Sequence, residues 1–302
     1  MIPNLGLVCI TTTDEIRYRT VTRKRLLSMP LPQQEDLLAE LYLHNIGTLF
    51  RAIHYCSANQ IRLYRISSQI FPFADEAIGK EILSRLQDEL VEIGKLANVR
   101  DVRLVIHPDQ FVVLNSDTES VVQNSIKILT MHATTLDLLQ QPESPWATLE
   151  IHGGKGKRAD ALVTAIGRLP ANVRKRLALE NDEYIYSADE ILAICRAAEV
   201  PMVFDAHHHV CHEQIESYED PSIRHFVDAA RSTWPQAAWQ LAHISNGRES
   251  FLDRRHSDLI TTMPEAYRRV PWIEVEAKHK EIAIRQLQEG WLADMAQPSL
   301  NE

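Results

Sequence analysis

Short apolar, β-branched runs recur eight times along this chain, most of them separated by stretches whose apolar residues repeat with a helical period. The runs are 5–10, 61–67, 102–107, 147–152, 177–180, 201–205, 239–243 and 272–276. Between them the spacing predicts helices over 33–59, 76–97, 118–139, 159–169, 188–198 and 220–230, with a closing helix from about Lys278. Ser187 stands three residues before Glu190, the order of a capping box. Eight strands alternating with helices is the count of a (β/α)8 TIM barrel, an α/β fold that routinely spends a length like these 302 residues on one domain. An open doubly wound sheet alternates in the same way. No G-x-G-x-x-G turn follows the first run, which weakens the dinucleotide-binding version of that alternative. The expected organisation is a single-domain barrel over 1–290 and a C-terminal tail over 291–302.

Composition removes other classes. With 45% hydrophobic and 24% charged residues, the chain is neither disordered nor a coiled coil. No run approaches the roughly 18 apolar residues of a membrane span, and the first residues lack the basic start of a secretory signal, so no membrane association is expected. Cys9, Cys56, Cys195 and Cys211 form no CxxC pair, which argues against a thiolate zinc site and predicts reduced thiols in a cytoplasmic protein. No obligate protein partner is inferred. The net charge of −9 disfavours a non-specific DNA binder, although bound cations and a local basic stripe can hide inside an acidic total.

The last residues of the runs carry the chemistry. The third ends in His107, the fourth in His152, the fifth in Glu180, the sixth in Asp205, the seventh in His243 and the eighth in Glu276. In a barrel the carboxyl ends converge on one mouth, where active sites sit. Alternation places Val105 with His107, Ala178 with Glu180, Val203 with Asp205 and Leu241 with His243, so an apolar residue is expected below each ligand. One such polar residue is ordinarily a cap or a solvated group. Six facing one point would repel one another or stay unsatisfied unless divalent cations joined them. His207, His208 and His209 add three imidazoles in one turn of loop, of which not all reach an ion. His256 lies in a further loop, as readily surface as ligand. A mixed N/O set without sulfur suits Mn, Fe or Zn. Two or three such ions favour phosphate-ester chemistry, one activating water and a neighbour stabilising the leaving oxygen, with Glu180 in the middle of the ring as the natural bridge.

Weaker signals surround this set. Gln110-Phe111 follows a metal strand and suits stacking on bases, or else Phe111 packs beneath its own loop. Two basic stretches, 17–25 and 152–158, read as solvated surface or, if they flank one mouth, as a track for phosphates.

RLYRISS at 62–68, IHPDQFVVLNS at 106–116, IHGGKGKR at 151–158, LALENDE at 177–183, VFDAHHH at 203–209, HISNG at 243–247, RRHSD at 254–258 and IEVEAKHKE at 273–281 resemble the UV-damage endonuclease family, in order and over nearly the whole chain. The resemblance implies a TIM barrel similar to endonuclease IV, with two or three ions, commonly Mn²⁺. It implies an enzyme that nicks UV-damaged double-stranded DNA immediately 5′ of cyclobutane dimers and 6-4 photoproducts, leaving a 3′-hydroxyl and a 5′-phosphate. Carried over by residue, the ligands are His107, His152, Glu180, Asp205, His208, His243, His256 and Glu276, with Glu180, Asp205 and Glu276 catalytic. His208 and His256 rest mainly on the resemblance. His107 and His152 would serve a first ion, Asp205, His243 and Glu276 a second, and His208 and His256 a third. Gln110-Phe111 matches a Gln-Tyr pair that inserts at the lesion. Lys155, Lys157 and Lys278 are candidates for phosphate contact.

The chain departs from the family in places. Asp75-Glu76 follow Phe71-Pro72-Phe73-Ala74 where some members carry a His, Leu241 stands where some carry a modified Lys, and Leu7 and Thr11 replace an aromatic and an Asn near the site. Asp75 or Glu76 would either replace the missing His or serve as helix N-terminal acids. Two rival functions remain: a metal-dependent sugar isomerase on a similar barrel, which needs no basic stretches or exposed Gln-Phe pair, and a damage-binding module, which needs no metal.

Overall fold

The computed structural model describes residues 2–296. Eight strands, β1 (Asn4–Val8), β2 (Leu63–Ile66), β3 (Arg103–Ile106), β4 (Leu149–His152), β5 (Leu177–Glu180), β6 (Met202–Asp205), β7 (Leu241–Ile244) and β8 (Trp272–Val275), pair in sequence order into a closed barrel. Every pairing is parallel, and β8 closes on β1 with Asn4 opposite Trp272 and Leu7 opposite Val275. The expected (β/α)8 barrel is therefore the observed one.

The helices are α1 (Arg23–Leu27), α2 (Leu31–Ala58), α3 (Ala77–Arg85), α4 (Gln87–Val99), α5 (Glu119–Leu138), α6 (Ala159–Gly167), α7 (Ala171–Arg174), α8 (Ala188–Ala198), α9 (Ala206–Glu213), α10 (Pro221–Arg231), α11 (Lys280–Leu287) and α12 (Ala293–Ala296). The capping box forms: Glu190 N–H donates to the Ser187 hydroxyl, and Ser187 N–H donates to the Glu190 carboxylate. The helix expected over 76–97 breaks at Leu86, whose backbone is non-helical and whose side chain is buried, with no proline or glycine to announce it. The long segment before α2 holds the short helix α1. His207, His208 and His209, expected in a loop, lie in α9, because the Asp205 side chain accepts from His208 N–H and caps a new helix. At the other end, helical structure continues from α11 through Gln288–Leu292 into α12, across the expected boundary at 290; residues 297–302 lie outside the described residues.

Both faces of the strands are buried, as a parallel sheet requires. Alternation sorts them. Leu63, Val105, Ala178, Val203, Leu241 and Trp272 form the barrel interior with Trp234. Their neighbours Tyr64, Leu104, Leu179, Phe204, Ala242 and Ile273 join the larger cluster shared with the helices. Arg103, buried at the start of β3, closes the amino-terminal end. Its guanidinium donates to the carbonyl oxygens of Trp146, Pro145 and Trp239 at 2.8, 3.0 and 3.0 Å, and lies 4.8 Å from the Trp146 ring and 5.2 Å from that of Trp272. That end is a plug, so a ligand has only the carboxyl-terminal mouth to enter.

Among the described residues no helix is long and apolar enough to cross a membrane, and all four cysteines are free thiols.

Packing of the outer layer gives a stability prediction. A Cβ added to Gly94 would fall 1.8 Å from the Leu139 carbonyl oxygen, where α4 meets the end of α5. Gly94→Ala should cost about 1–3 kcal/mol in chemical denaturation. Gly167→Ala, at the end of α6 with nothing within 4 Å of the new methyl, should be neutral or stabilising in the same assay.

Candidate metal centre

The strand ends converge as their positions predict. Glu180, at the end of β5, is buried at the centre. Its Oε2 lies 2.9 Å from His107 Nε2 and 3.7 Å from His152 Nε2. Its Oε1 lies 2.8 Å from His243 Nδ1 and 3.4 Å from His208 Nδ1. The two carboxylate oxygens therefore face two different sets of imidazoles. Ligand atoms within 4.8 Å of one another form four sets: His107, His152 and Glu180; Glu180, Asp205 and His208; Asp205, His243 and Glu276; and Glu150, His243 and Glu274.

The electrostatics are those of a crowded anionic pocket. Burial opposes ionisation of Glu180, but the imidazoles of His243 and His152 and the hydrogen bonds from His107 and His243 outweigh it and hold the carboxyl well below its usual range. Burial likewise disfavours a charged His208. The carboxylates of Asp205, Glu180, Glu183 and Glu276 reverse this and push its pKa up to about 10. For His152 burial wins, and the ring is pushed down to about 4, leaving a neutral imidazole ready to ligate.

The residues fit divalent cations. Asp205 spends Oδ1 on capping α9, while its buried Oδ2 has no partner; the buried Nδ1 of His152 has none either. Orphaned buried acceptors of this kind are costly unless something binds them. The donor set is nitrogen and oxygen, which suits Mn, Fe or Zn.

Of the three consecutive imidazoles, only His208 faces the cluster. It groups with Glu180 and Asp205 rather than with His256. His207 is held by the Tyr218 hydroxyl at 2.7 Å and the Asp253 carbonyl at 2.9 Å, and His209 by the Ser222 hydroxyl at 2.9 Å beside Phe226. His256, in an isolated antiparallel bridge with Gly247, stands 3.8 Å from Glu276 and belongs to none of the four sets.

Beneath this layer lies one that the strand-end reading misses. Where β3, β5, β6 and β7 carry the expected apolar residue below the ligand, β4 carries Glu150 and β8 carries Glu274, both fully buried. Arg65 of β2 joins them. Its Nε donates to Glu274 at 2.6 Å, its Nη1 lies 2.5 Å from Glu276 Oε1 and its Nη2 lies 3.0 Å from His243 Nε2. Burial opposes ionisation of Glu274, but Arg65 and His243 hold its pKa down to about 2. Glu150 goes the other way: burial and the charge of Glu274 raise it. The signal was available, since Glu150 and Glu274 stand two residues before His152 and Glu276 and share their parity.

The cluster floors an open cavity of about 460 Å³ walled by the loops after β3, β4 and β5, with Gln110 and Lys155 in its lining. Phe111, beside Gln110, is 73% exposed, so the packed-core reading of this ring is wrong. Lys155 and Arg158 both pair with Asp117, and the side chains of Lys157 and Lys278 are exposed. The stretch 17–25 does not line the cavity; Arg17 pairs with Asp14 and Arg23 with Glu76. Asp75 pairs with Lys127 at 2.9 Å and Glu76 precedes α3, so neither replaces the missing His in any of the four sets. Leu241 fills the barrel interior, Leu7 packs toward the helices, and the Thr11 hydroxyl accepts from Ile16 N–H at 3.0 Å.

The chain matches the UV-endonuclease UvdE family over residues 3–298. It is 53% identical over 292 residues to the UV DNA damage endonuclease of Nostoc sp. (strain PCC 7120 / SAG 25.82 / UTEX 2576), covering 96% of this chain and 91% of that protein. It is 49% identical over 289 residues to the UV DNA damage endonuclease of Deinococcus radiodurans, covering 95% of each. Among solved structures, that of SacUVDE aligns with a TM-score of 0.79 at 26% identity, covering 95% of this chain and 98% of that one. A D-tagatose 3-epimerase-like protein aligns at 0.58 with 10% identity over 97% of each chain, a likeness of fold alone. A family match over nearly the whole chain, with relatives at this identity and coverage, leaves one assignment: the chain belongs to the UV-endonuclease UvdE family.

Proposed function

We propose that this protein is a metal-dependent DNA repair endonuclease that nicks duplex DNA immediately 5′ of UV photoproducts, leaving a 3′-hydroxyl and a 5′-phosphate. The observation that carries the reading is the convergence of His107, His152, Glu180, Asp205, His208, His243 and Glu276 in overlapping ligand sets at the floor of one cavity, which all but the fully buried Asp205 and His243 line, in a chain of the UvdE family. His256, beside Glu276, would complete the outer part of the ligand set. The site would take two or three divalent ions, Mn²⁺ on this reading, which supply an activated water and charge stabilisation at the leaving 3′-oxygen.

The chain's own groups set this up. Glu180 offers one oxygen to the His107–His152 side and the other to the His208–His243 side, which is what a bridging carboxylate must do. Asp205 keeps one oxygen free. Arg65 neutralises Glu274 and positions Glu276 from below, so that Glu276 is fixed before any ion binds. Lys155, in the cavity lining, and the exposed Lys157 and Lys278 would offer cations to phosphates, and exposed Gln110-Phe111 is free to enter a disturbed base stack.

The direct test is to incubate UV-irradiated and untreated supercoiled plasmid with the protein and Mn²⁺, with and without chelator, and to map the ends of any nick. Lesion-dependent, chelator-sensitive nicks with 3′-hydroxyl and 5′-phosphate ends are expected. Damage binding without nicking would indicate a recognition module, and neither result would redirect the search to sugars.

Two variants separate chemistry from recognition. Glu180→Gln should keep the fold and lose far more than tenfold in nicking rate, a barrier rise well above ~1.4 kcal/mol, with reduced metal content in elemental analysis; retention of a tenth of the rate would remove Glu180 from its bridging role. Phe111→Ala should weaken selectivity for UV-damaged duplex by about 1–3 kcal/mol, while single-turnover nicking at saturating enzyme changes less, because a photodimer is already partly unstacked and an aromatic wedge fills the gap. Unchanged selectivity would move lesion reading elsewhere on the rim.

A further inference from the structure

The loop between β5 and α8 begins at Glu180 and ends at the capping residue Ser187, and it places two large apolar side chains on the rim of the cavity. Tyr184 is 60% exposed and Ile185 47%, and both line the mouth above the ligand cluster. Leaving such residues in water is unremarkable in a loose loop, but this loop is not loose. The buried Asp182 carboxylate accepts from Tyr184 N–H at 2.8 Å, from Ile185 N–H, and from Tyr186 N–H at 3.2 Å, while Asp182 N–H donates to the Tyr186 carbonyl at 3.1 Å. Tyr186 anchors the far side: its ring is buried, its hydroxyl donates to the Lys155 carbonyl at 2.8 Å and accepts from Arg158 N–H at 3.2 Å. A fixed turn is thus held against the basic loop after β4 and presents an aromatic and an aliphatic group outward.

A second loop reaches the same ring. Arg254, from the long connection before β8, sets its guanidinium 3.9 Å from the Tyr184 ring centroid. Tyr184 therefore carries a cation against its ring while most of the residue stays open to solvent. An exposed aromatic, stiffened by its turn and paired with a guanidinium beside a basic loop, has the chemistry of a stacking platform for a nucleobase. A free phosphate would make no use of the flat π surface.

Resting on the endonuclease reading, we propose that Tyr184, with Ile185 and Arg254, forms a second base-contacting lip that stacks on an unpaired nucleobase of the strand opened at the lesion. It stands two strands along the rim from Gln110-Phe111, with the Lys155 loop between them, so the two lips flank the track of one backbone. The pre-formed turn matters energetically, because a platform ordered before binding loses little conformational entropy when the base arrives.

The test uses the metal-loaded protein and duplexes with and without one defined photoproduct, one set carrying 2-aminopurine beside the lesion. Tyr184→Ala should weaken binding of the damaged duplex about five- to a hundredfold and abolish part of the 2-aminopurine quenching. Binding of the intact duplex, metal content and melting temperature should stay near wild type. Tyr184→Phe should restore affinity to within about twofold, since the ring is retained, and Arg254→Ala should show a smaller loss in the same direction. Wild-type affinity and quenching in Tyr184→Ala, with wild-type protein nicking UV-irradiated plasmid, would overturn the second lip and leave the endonuclease reading standing. Wild-type protein that nicks no irradiated DNA would overturn both.

Discussion

Closure of eight parallel strands gives every strand one inward and one outward face, and the site depends on that alternation. An inward residue near the carboxyl end of any strand must meet inward residues from its neighbours, whatever their separation in sequence. His107 and His243 are 136 positions apart, yet their ring centroids lie 5.9 Å apart. The apolar interior of Val105, Ala178, Val203 and Leu241 supports this layer from below, and Arg103 with its tryptophans closes the opposite end. The plugged end and the open mouth together make the strand termini the place where chemistry occurs.

Packing so many ionisable groups in one dry place carries an electrostatic cost that the barrel meets twice over. In the lower layer the protein supplies its own cation: Arg65 lies among Glu150, Glu274 and Glu276. In the upper layer Arg65 reaches Glu276 and His243, while the field of Glu180, Asp205, Glu183 and Glu276 raises the His208 pKa to about 10 against the cost of burial. An excess of acceptors, with Asp205 Oδ2 left unpartnered, is the condition that divalent cations relieve. The net charge of −9, which at first counts against a nucleic-acid substrate, is in part the charge that this centre and its lower layer need.

The rim divides the labour differently. Loops after β3, β4 and β5 carry an exposed Gln-Phe pair, a basic glycine-containing stretch and a braced Tyr-Ile turn. Apart from His152 at the start of the basic stretch, none of these groups belongs to a ligand set, so recognition can vary while the buried layers stay fixed.

The eightfold recurrence of short apolar runs made a parallel α/β sheet of eight strands, with the barrel as its expected form, legible in the sequence by itself, because a parallel strand buried on both faces leaves a continuous apolar run; the pairing of β8 with β1 decided closure over an open sheet. Period-two alternation determined that His107, His152, Glu180, Asp205, His243 and Glu276 would meet, since a strand end has only one mouth to face. Tertiary structure decided what local pattern leaves open. His208 alone of three adjacent imidazoles turns to the cluster, because capping by Asp205 winds them into a helix and sends each ring to a different side. Glu150, Glu274 and Arg65 form a layer only because three strands distant in sequence share one height in the barrel. Asp75 and Glu76, near the right strand, find Lys127 and Arg23 instead of the mouth. Phe111 stands in solvent for the same reason: whether a loop side chain folds under or projects depends on what the neighbouring loops already fill, and that is known only once the barrel has closed.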